Sequence, residues 1–290
     1  MKDSFNGWYF KCQSETKTLA VIPAVHQVGR KRTCSIQIIT EEGSHVVAYP
    51  GKAFKRKKGG VSIGKNHFDE KGMYLAVNTP KLHLKGRLRF GELSPLKYHI
   101  MGPFAHLPFL ECHHTVYSMC HSVSGTVFVN GEEYSFHNAP GYWEGDRGTS
   151  FPRAYMWTQC FLPEGALMLA IADIPMGSFH FKGIIGAVCW KGKEYRIATY
   201  LGAGIVEIEA GMVRIRQGKL ELEAQLLEEA SYPLRAPSKG SMSRTIHESV
   251  ECKVFYRFRR DGHTLFALES KKASFEQSGK KIKKVVDKQN

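Results

Sequence analysis

The sequence predicts an all-β protein built as two antiparallel β-barrel domains, and three observations carry that prediction. Apolar and β-branched residues come in short alternating runs. Gly, Pro and Asn interrupt those runs at intervals of about eight to twelve residues, the spacing of sandwiches and barrels. Helical periodicity is scarce throughout.

Taken in order, the strand candidates are Trp8–Cys12, Leu19–Val25, Cys34–Thr40, His45–Tyr49, Tyr74–Asn78, Leu82–Phe90 and Thr126–Val129. The second half offers Ala154–Phe161, Leu167–Asp173, Phe179–Cys189, Tyr195–Tyr200, Met212–Gln217, Lys219–Leu226, Val250–Phe258 and Thr264–Ser270. Asn130-Gly131, Lys191-Gly192 and Asp261-Gly262 each sit between two such runs, where a type I′ hairpin turn needs two positive φ angles. This many strands exceeds one small barrel and suits two. Ser94–Pro108, with three prolines, and Tyr232–Ser243 read as irregular connections. The boundary falls near Phe151-Pro152, giving an N-terminal barrel over 1–152, a C-terminal barrel over 153–277 and a basic tail over 278–290.

The 290 residues carry 41 Lys and Arg against 27 Asp and Glu, a net charge of +14. Such a charge favours anionic partners, a lipid surface or a nucleic acid. The longest apolar run, Ala166–Ala172, is far below the roughly twenty residues of a membrane-crossing helix. The N-terminus lacks a secretory leader, so a cytoplasmic location with reduced cysteines is expected. The run Lys55-Arg56-Lys57-Lys58, before Gly59-Gly60, reads as a hairpin tip able to touch phospholipid headgroups. No nucleic-acid motif accompanies the charge, so a nucleic-acid partner is not expected. P-loop, nucleophile-elbow and dinucleotide fingerprints are also missing.

Three segments carry candidate chemistry. Glu111–His121 holds two cysteines and three histidines, a composition that invites zinc. On one strand, however, Cys112 and Cys120 lie about 26 Å apart at 3.3 Å per residue, whereas zinc needs every ligand within about 2.3 Å of the ion. Only a near pair such as Cys112 and His114 could share a metal, and no metal site is expected. In Gly141–Pro152, alternation points Tyr142, Glu144 and Asp146 one way and Trp143 and Arg147 the other. A carboxyl held in an apolar cavity has a raised pKa and can donate a proton. The competing reading pairs Glu144 or Asp146 with Arg147 or another base. Third, Tyr155, Trp157, Gln159 and Phe161 share one strand face, as a ligand-lined barrel interior or any barrel core would. Trp8, Tyr9 and Phe10 pose the same choice.

Several of these stretches resemble the tocopherol cyclase-like family in its bacterial branch. They are Phe5–Lys11, Ile63–Phe68 with Gly72, Ile100–Phe104, Glu111–His114, and Ser118, Met119 and His121. Gly141-Tyr142, Glu144, Gly148, Ser150–Pro152, Trp157, Gln159-Cys160, Ile171–Pro175 and Tyr195–Tyr200 continue the series. The resemblance implies a lipocalin-like pair of β-barrels. It also implies, as in the plant members, ring closure of a prenylated hydroquinone after protonation of a prenyl double bond. Under that implication Glu144 is the acid with Asp146 in reserve, and Trp8, Tyr142 and Trp157 line the cavity. His113, His114 and Gln159 hold the phenol, and Tyr9 and Asn66 complete the substrate-binding set. No cofactor is called for, and the partner is an amphipathic prenylated small molecule or lipid, with peripheral contact to an anionic membrane. The alternatives are a non-catalytic carrier of a hydrophobic ligand and a hydratase acting on an isoprenoid or carotenoid. Gly145-Asp146-Arg147-Gly148 departs from the family's usual Lys, Asp or Asn, Trp, Gly, and Phe161 replaces its usual Asn.

Overall fold

The computed structural model describes residues 3–108, 110–176, 179–228 and 232–279. Of the expected basic tail, residues 280–290 lie outside this range. Two antiparallel sheets dominate. The first holds β1 (Ser4–Gln13), β2 (Thr18–Val28), β3 (Lys31–Thr40), β4 (Gly43–Pro50), β5 (Phe54–Lys57), β6 (Gly60–Ile63), β7 (Asn66–Asp69), β8 (Gly72–Thr79), β9 (Leu82–Phe90), β10 (Cys112–Val129) and β11 (Glu132–Gly148). The second holds β12 (Tyr155–Leu162), β13 (Gly165–Met176), β14 (Phe179–Trp190), β15 (Lys193–Ala198), β16 (Gly204–Glu209), β17 (Met212–Gln217), β18 (Leu220–Glu228), β19 (Tyr232–Ser238), β20 (Ser241–Arg260) and β21 (His263–Ser278).

Both sheets run the same path, except that in the second β18 pairs directly with β20 and β19 lies off the path, paired with β20. Four strands meander to one edge, a short 3-10 turn (Gly51–Ala53 or Thr199–Leu201) carries the chain to the other edge, and a second meander returns. The last long strand then pairs with the first, β11 with β1 and β21 with β12. Each sheet thereby curls around its own apolar core. In the first, Phe10 stacks on Trp143, Phe68 and Phe90 with ring centroids 5.1, 5.7 and 6.0 Å apart. Such pairs add about 0.5–1.5 kcal/mol each beyond the area they bury.

The three expected hairpins are present, with φ of 52 and 89° at Asn130-Gly131, 50 and 71° at Lys191-Gly192, and 52 and 79° at Asp261-Gly262. Lys239-Gly240 makes a fourth, at 47 and 74°. The strand expected over Tyr195–Tyr200 stops at Ala198, where the 3-10 turn begins, and Gly202 ends that turn at φ 84°. The basic run occupies the exposed strand β5 as well as its turn into β6.

The chain divides into two compact units, and each borrows a segment from the other half of the sequence. Unit 1 draws its described residues from 1–97, 111–151 and 233–245; unit 2 draws its own from 98–110, 152–232 and 246–290. A single cut in the sequence does not anticipate this exchange. The borrowed hairpin at 233–245 is fixed within unit 1 by hydrogen bonds to its backbone. Gln37 is buried and its carboxamide brackets Arg235, donating to the carbonyl at 2.9 Å and accepting from the N–H at 2.8 Å. Ser44 Oγ donates to the Pro233 carbonyl at 2.8 Å, and Gly240 N–H to the Thr149 carbonyl at 2.7 Å. Gly240 approaches so closely that a Cβ there would sit 2.3 Å from the Gln27 carbonyl oxygen. Among the described residues no helix is long and apolar enough to cross a membrane.

Candidate functional site

In unit 1, β11 lies between β1 and β10, and residues directly opposite one another on antiparallel strands share a face. Tyr9 faces Glu144 and Lys11 faces Tyr142, while His114 faces Asp146 and Val116 faces Glu144. One face of three strands therefore carries Tyr9, Lys11, Tyr142, Glu144, Asp146, His114 and Cys112. The opposite face carries Trp8, Phe10 and Trp143 into the apolar core. Both faces are buried: Tyr142 and Lys11 are fully so, and Glu144 is 5% and His114 8% exposed.

His114 links the two carboxylates. Its Nδ1 lies 3.0 Å from Asp146 Oδ1 and its Nε2 lies 3.2 Å from Glu144 Oε2. Tyr142 donates its hydroxyl to the same Glu144 oxygen at 2.5 Å, and the Cys112 thiol donates to Asp146 Oδ1 at 3.4 Å. Burial opposes charge on His114, but Asp146 and Glu144 together outweigh it and push its pKa up to about 10. The ring is thus an imidazolium at neutral pH. Burial, then the Glu144 charge, hold the Tyr142 phenol well above its ordinary range; burial and Asp146 do the same for the Cys112 thiol.

The carboxylate partner left open by the sequence is therefore His114; Arg147 points to the other face, opposite His113. His114, Glu144 and Asp146 offer donor atoms within 4.8 Å of one another, the size of a cation site. Both imidazole nitrogens already meet carboxylates, so a cation there would have to displace the ring protons.

The other expected site residues are distributed. Tyr9 joins the ionisable face, its ring 6.5 Å from that of Tyr142. Trp8 does not line a cavity with Tyr142: strand alternation sends it into the core, stacked 6.3 Å from Phe54. His113 lies on the face opposite His114, and its pKa is lowered by burial and by Arg147. Asn66 is a structural residue of the turn into β7, donating to the Ile63 carbonyl at 3.0 Å and accepting from Ala76 N–H at 2.8 Å. Trp157 and Gln159 belong to unit 2. They do not line its barrel interior, because Met156, Cys160 and Leu162 of the same strand face that core. Lys11 escaped sequence reasoning, although its place two residues beyond Tyr9 put it on the same face.

Gly145 has a packing role. A Cβ there would lie 2.9 Å from the Gly7 carbonyl oxygen, 3.0 Å from the Tyr117 ring and 3.2 Å from Trp8.

Two curled antiparallel sheets, each wrapped around its own core, define a protein of two lipocalin-like half-barrel domains. The chain belongs to the tocopherol cyclase-like family, whose model matches residues 80–279. Tocopherol cyclase, chloroplastic, of Zea mays is 32% identical over 162 residues, covering 51% of this chain and 34% of its own length. The chain spans about a third of that curated relative. Kievitone hydratase from Nectria haematococca has a similar structure, with a TM-score of 0.58 at 10% identity over 96% of this chain and 90% of that one. CghA, solved with Sch210972, has a TM-score of 0.62 at 9% identity over 96% and 89%. At these identities the likeness is one of fold.

Proposed function

We propose that the protein is an acid–base catalyst that adds an O–H bond across a double bond of an amphipathic isoprenoid, closing a ring when that O–H is the substrate's own phenol. The observation that supports this reading is the buried chain Asp146–His114–Glu144, with Tyr142 on its terminal carboxylate. Asp146 fixes the ring through Nδ1–H. Nε2 hands its proton to Glu144, and the neutral carboxyl delivers it to an alkene carbon, leaving a tertiary cation. The phenol oxygen then bonds to that cation, and its proton returns to the Glu144 carboxylate. Atoms and charge balance with no cofactor. The rings of Tyr9 and Tyr142 share the strand face of Glu144 and would favour a cation through their π faces. Water in place of the phenol gives a hydration.

A second reading, a carrier that binds such a molecule without changing it, is favoured by how tightly the site holds its protons. An imidazolium of pKa about 10 is a weak acid for an alkene. Incubation with prenylated hydroquinones in deuterated water separates the two. A ring-closed product with one new carbon-bound deuterium, lost in Glu144→Gln, supports the catalyst. Unchanged quinol bound by both forms supports the carrier.

A further inference from the structure

The second unit holds buried polar atoms that neither reading uses. Gln159 is fully buried, yet neither its amide oxygen nor its amide nitrogen makes a hydrogen bond to a described residue. Across five strands the register runs Ser274, Gln159, Met168, Ala187, Arg196. All five therefore share the face opposite the apolar core. Arg196, at the far end, is 7% exposed. Its Nε donates to Glu194 at 2.8 Å, Nη2 donates to the Tyr98 carbonyl, and the Tyr98 ring lies 4.1 Å from the guanidinium carbon. Nη1 is buried without a partner among the described residues. Met168 and Ala187, both buried, give the row an apolar middle.

A buried amide with both ends unmatched destabilises a core, whereas a hydrophobic side chain of the same shape does not. Two such groups on one row, with apolar Met168 and Ala187 between them, have the layout of a binding site: mostly apolar, with a few placed polar anchors. The chemistry of the anchors defines the ligand. Gln159 offers a donor and an acceptor together, which a hydroxyl satisfies. Glu194 already balances the Arg196 charge, so Nη1 asks for an uncharged acceptor such as a carbonyl, hydroxyl or ether oxygen. Three strand spacings, about 14 Å, separate the two backbone positions.

We propose that this row of unit 2 binds an uncharged, elongated isoprenoid bearing oxygen groups, with Gln159 reading a free hydroxyl and Arg196 a second oxygen. The inference rests on the substrate class proposed above and is independent of the proton chain in unit 1. The test pairs a prenylated hydroquinone with its dimethyl ether, which keeps the acceptors and loses the donors. Affinities are measured by calorimetry for the wild type, Gln159→Met, Arg196→Lys and Glu144→Gln. The wild type and Glu144→Gln should prefer the free hydroquinone by about tenfold, the effect of one good hydrogen bond. Gln159→Met should bind both compounds alike. Arg196→Lys should weaken both equally, because the lysine keeps the Glu194 pair and lacks Nη1. Without ligand, Gln159→Met should melt about 2 °C or more above the wild type.

Three outcomes overturn the proposal: a Gln159→Met protein that melts lower or fails to fold, one that keeps the preference, or a wild type that binds neither compound. Loss of the preference in Glu144→Gln also overturns it, since unit 1 would then read the hydroxyl. Binding with this pattern but no turnover overturns only the catalytic reading.

Discussion

Tyr142 and Glu144, two residues apart on β11, are joined by a 2.5 Å hydrogen bond from the phenol to Oε2, the same oxygen that faces His114 Nε2. A strand places residues i and i+2 on one face, so a Tyr-x-Glu sequence is enough to bring these groups together. The bond draws its strength from the carboxylate charge and from the exclusion of water.

Tyr142→Phe should therefore destabilise the protein by about 1.5–3 kcal/mol, the range for a hydrogen bond to a charged group. Urea unfolding would show it as a lower midpoint at unchanged slope. If Glu144 is the proton donor, Glu144→Gln should cost turnover about 100-fold or more with binding retained.

Alkaline pH should weaken unit 1 through His114. Its folded pKa, about 10, lies above the 6.5 of the free side chain. The stability it contributes is fully present below pH 6.5 and is lost as pH rises through 10. His114→Gln should flatten that alkaline limb. Unfolding curves at pH 7, 9 and 10.5 would test this, and an unchanged limb in the variant would assign the effect to other groups.

Acid pH should act through two other histidines. Burial lowers His26 and His121 to about 4, so both are neutral in the folded state. Their contribution is complete above pH 6.5 and is lost as pH falls towards 4. The melting temperature should drop across that window, and less so in a His26→Gln, His121→Gln double variant.

Gly145→Ala should destabilise by about 1–3 kcal/mol, as overpacking does, because the new methyl meets the Gly7 carbonyl, Tyr117 and Trp8. The lysine usual at this position in the family is therefore not simply exchangeable here. A Gly145→Ala protein as stable as the wild type would show that β1 shifts freely.

Arg30, Lys31, Arg32, Lys52, Lys55, Arg56, Lys57 and Lys58 are exposed, and none forms an ion pair with a described residue. We propose that they contact anionic phospholipid, at about 1 kcal/mol per cation near the surface. The protein should float with phosphatidylserine vesicles at low salt and be released at high salt. Replacing Lys55–Lys58 with Gln should abolish flotation; retention would place the contact elsewhere.

Alternation and turn chemistry are local, and they made much of this protein legible. The Asn-Gly, Lys-Gly and Asp-Gly pairs marked three hairpins, because only a few residue types accept two positive φ angles. Period-two patterning put Tyr142, Glu144 and Asp146 on one face and Trp143 on the other. It also grouped Trp157 with Gln159. Which of two faces meets a core is not local: Gln159 and Trp157 looked like barrel interior, and Met156 and Cys160 occupy it instead. Asn66 looked like a ligand group because its use by the Ile63 and Ala76 backbone depends on how β7 and β8 pack.

The sequence by itself determined the all-β class, three of the hairpin turns and the alternation of faces within a strand, which follow from backbone sterics over a few residues. β5–β7 escaped it, and Tyr232–Ser243, read as irregular, forms β19 and the start of β20. Tertiary structure alone decided that β10 lies beside β11 in the register that sets His114 against both carboxylates, 30 and 32 positions further along the chain. It also decided the exchange of 98–110 and 233–245 between units. Pairing across such separations is fixed by the burial of whole sheets, a cooperative property that no window of sequence contains.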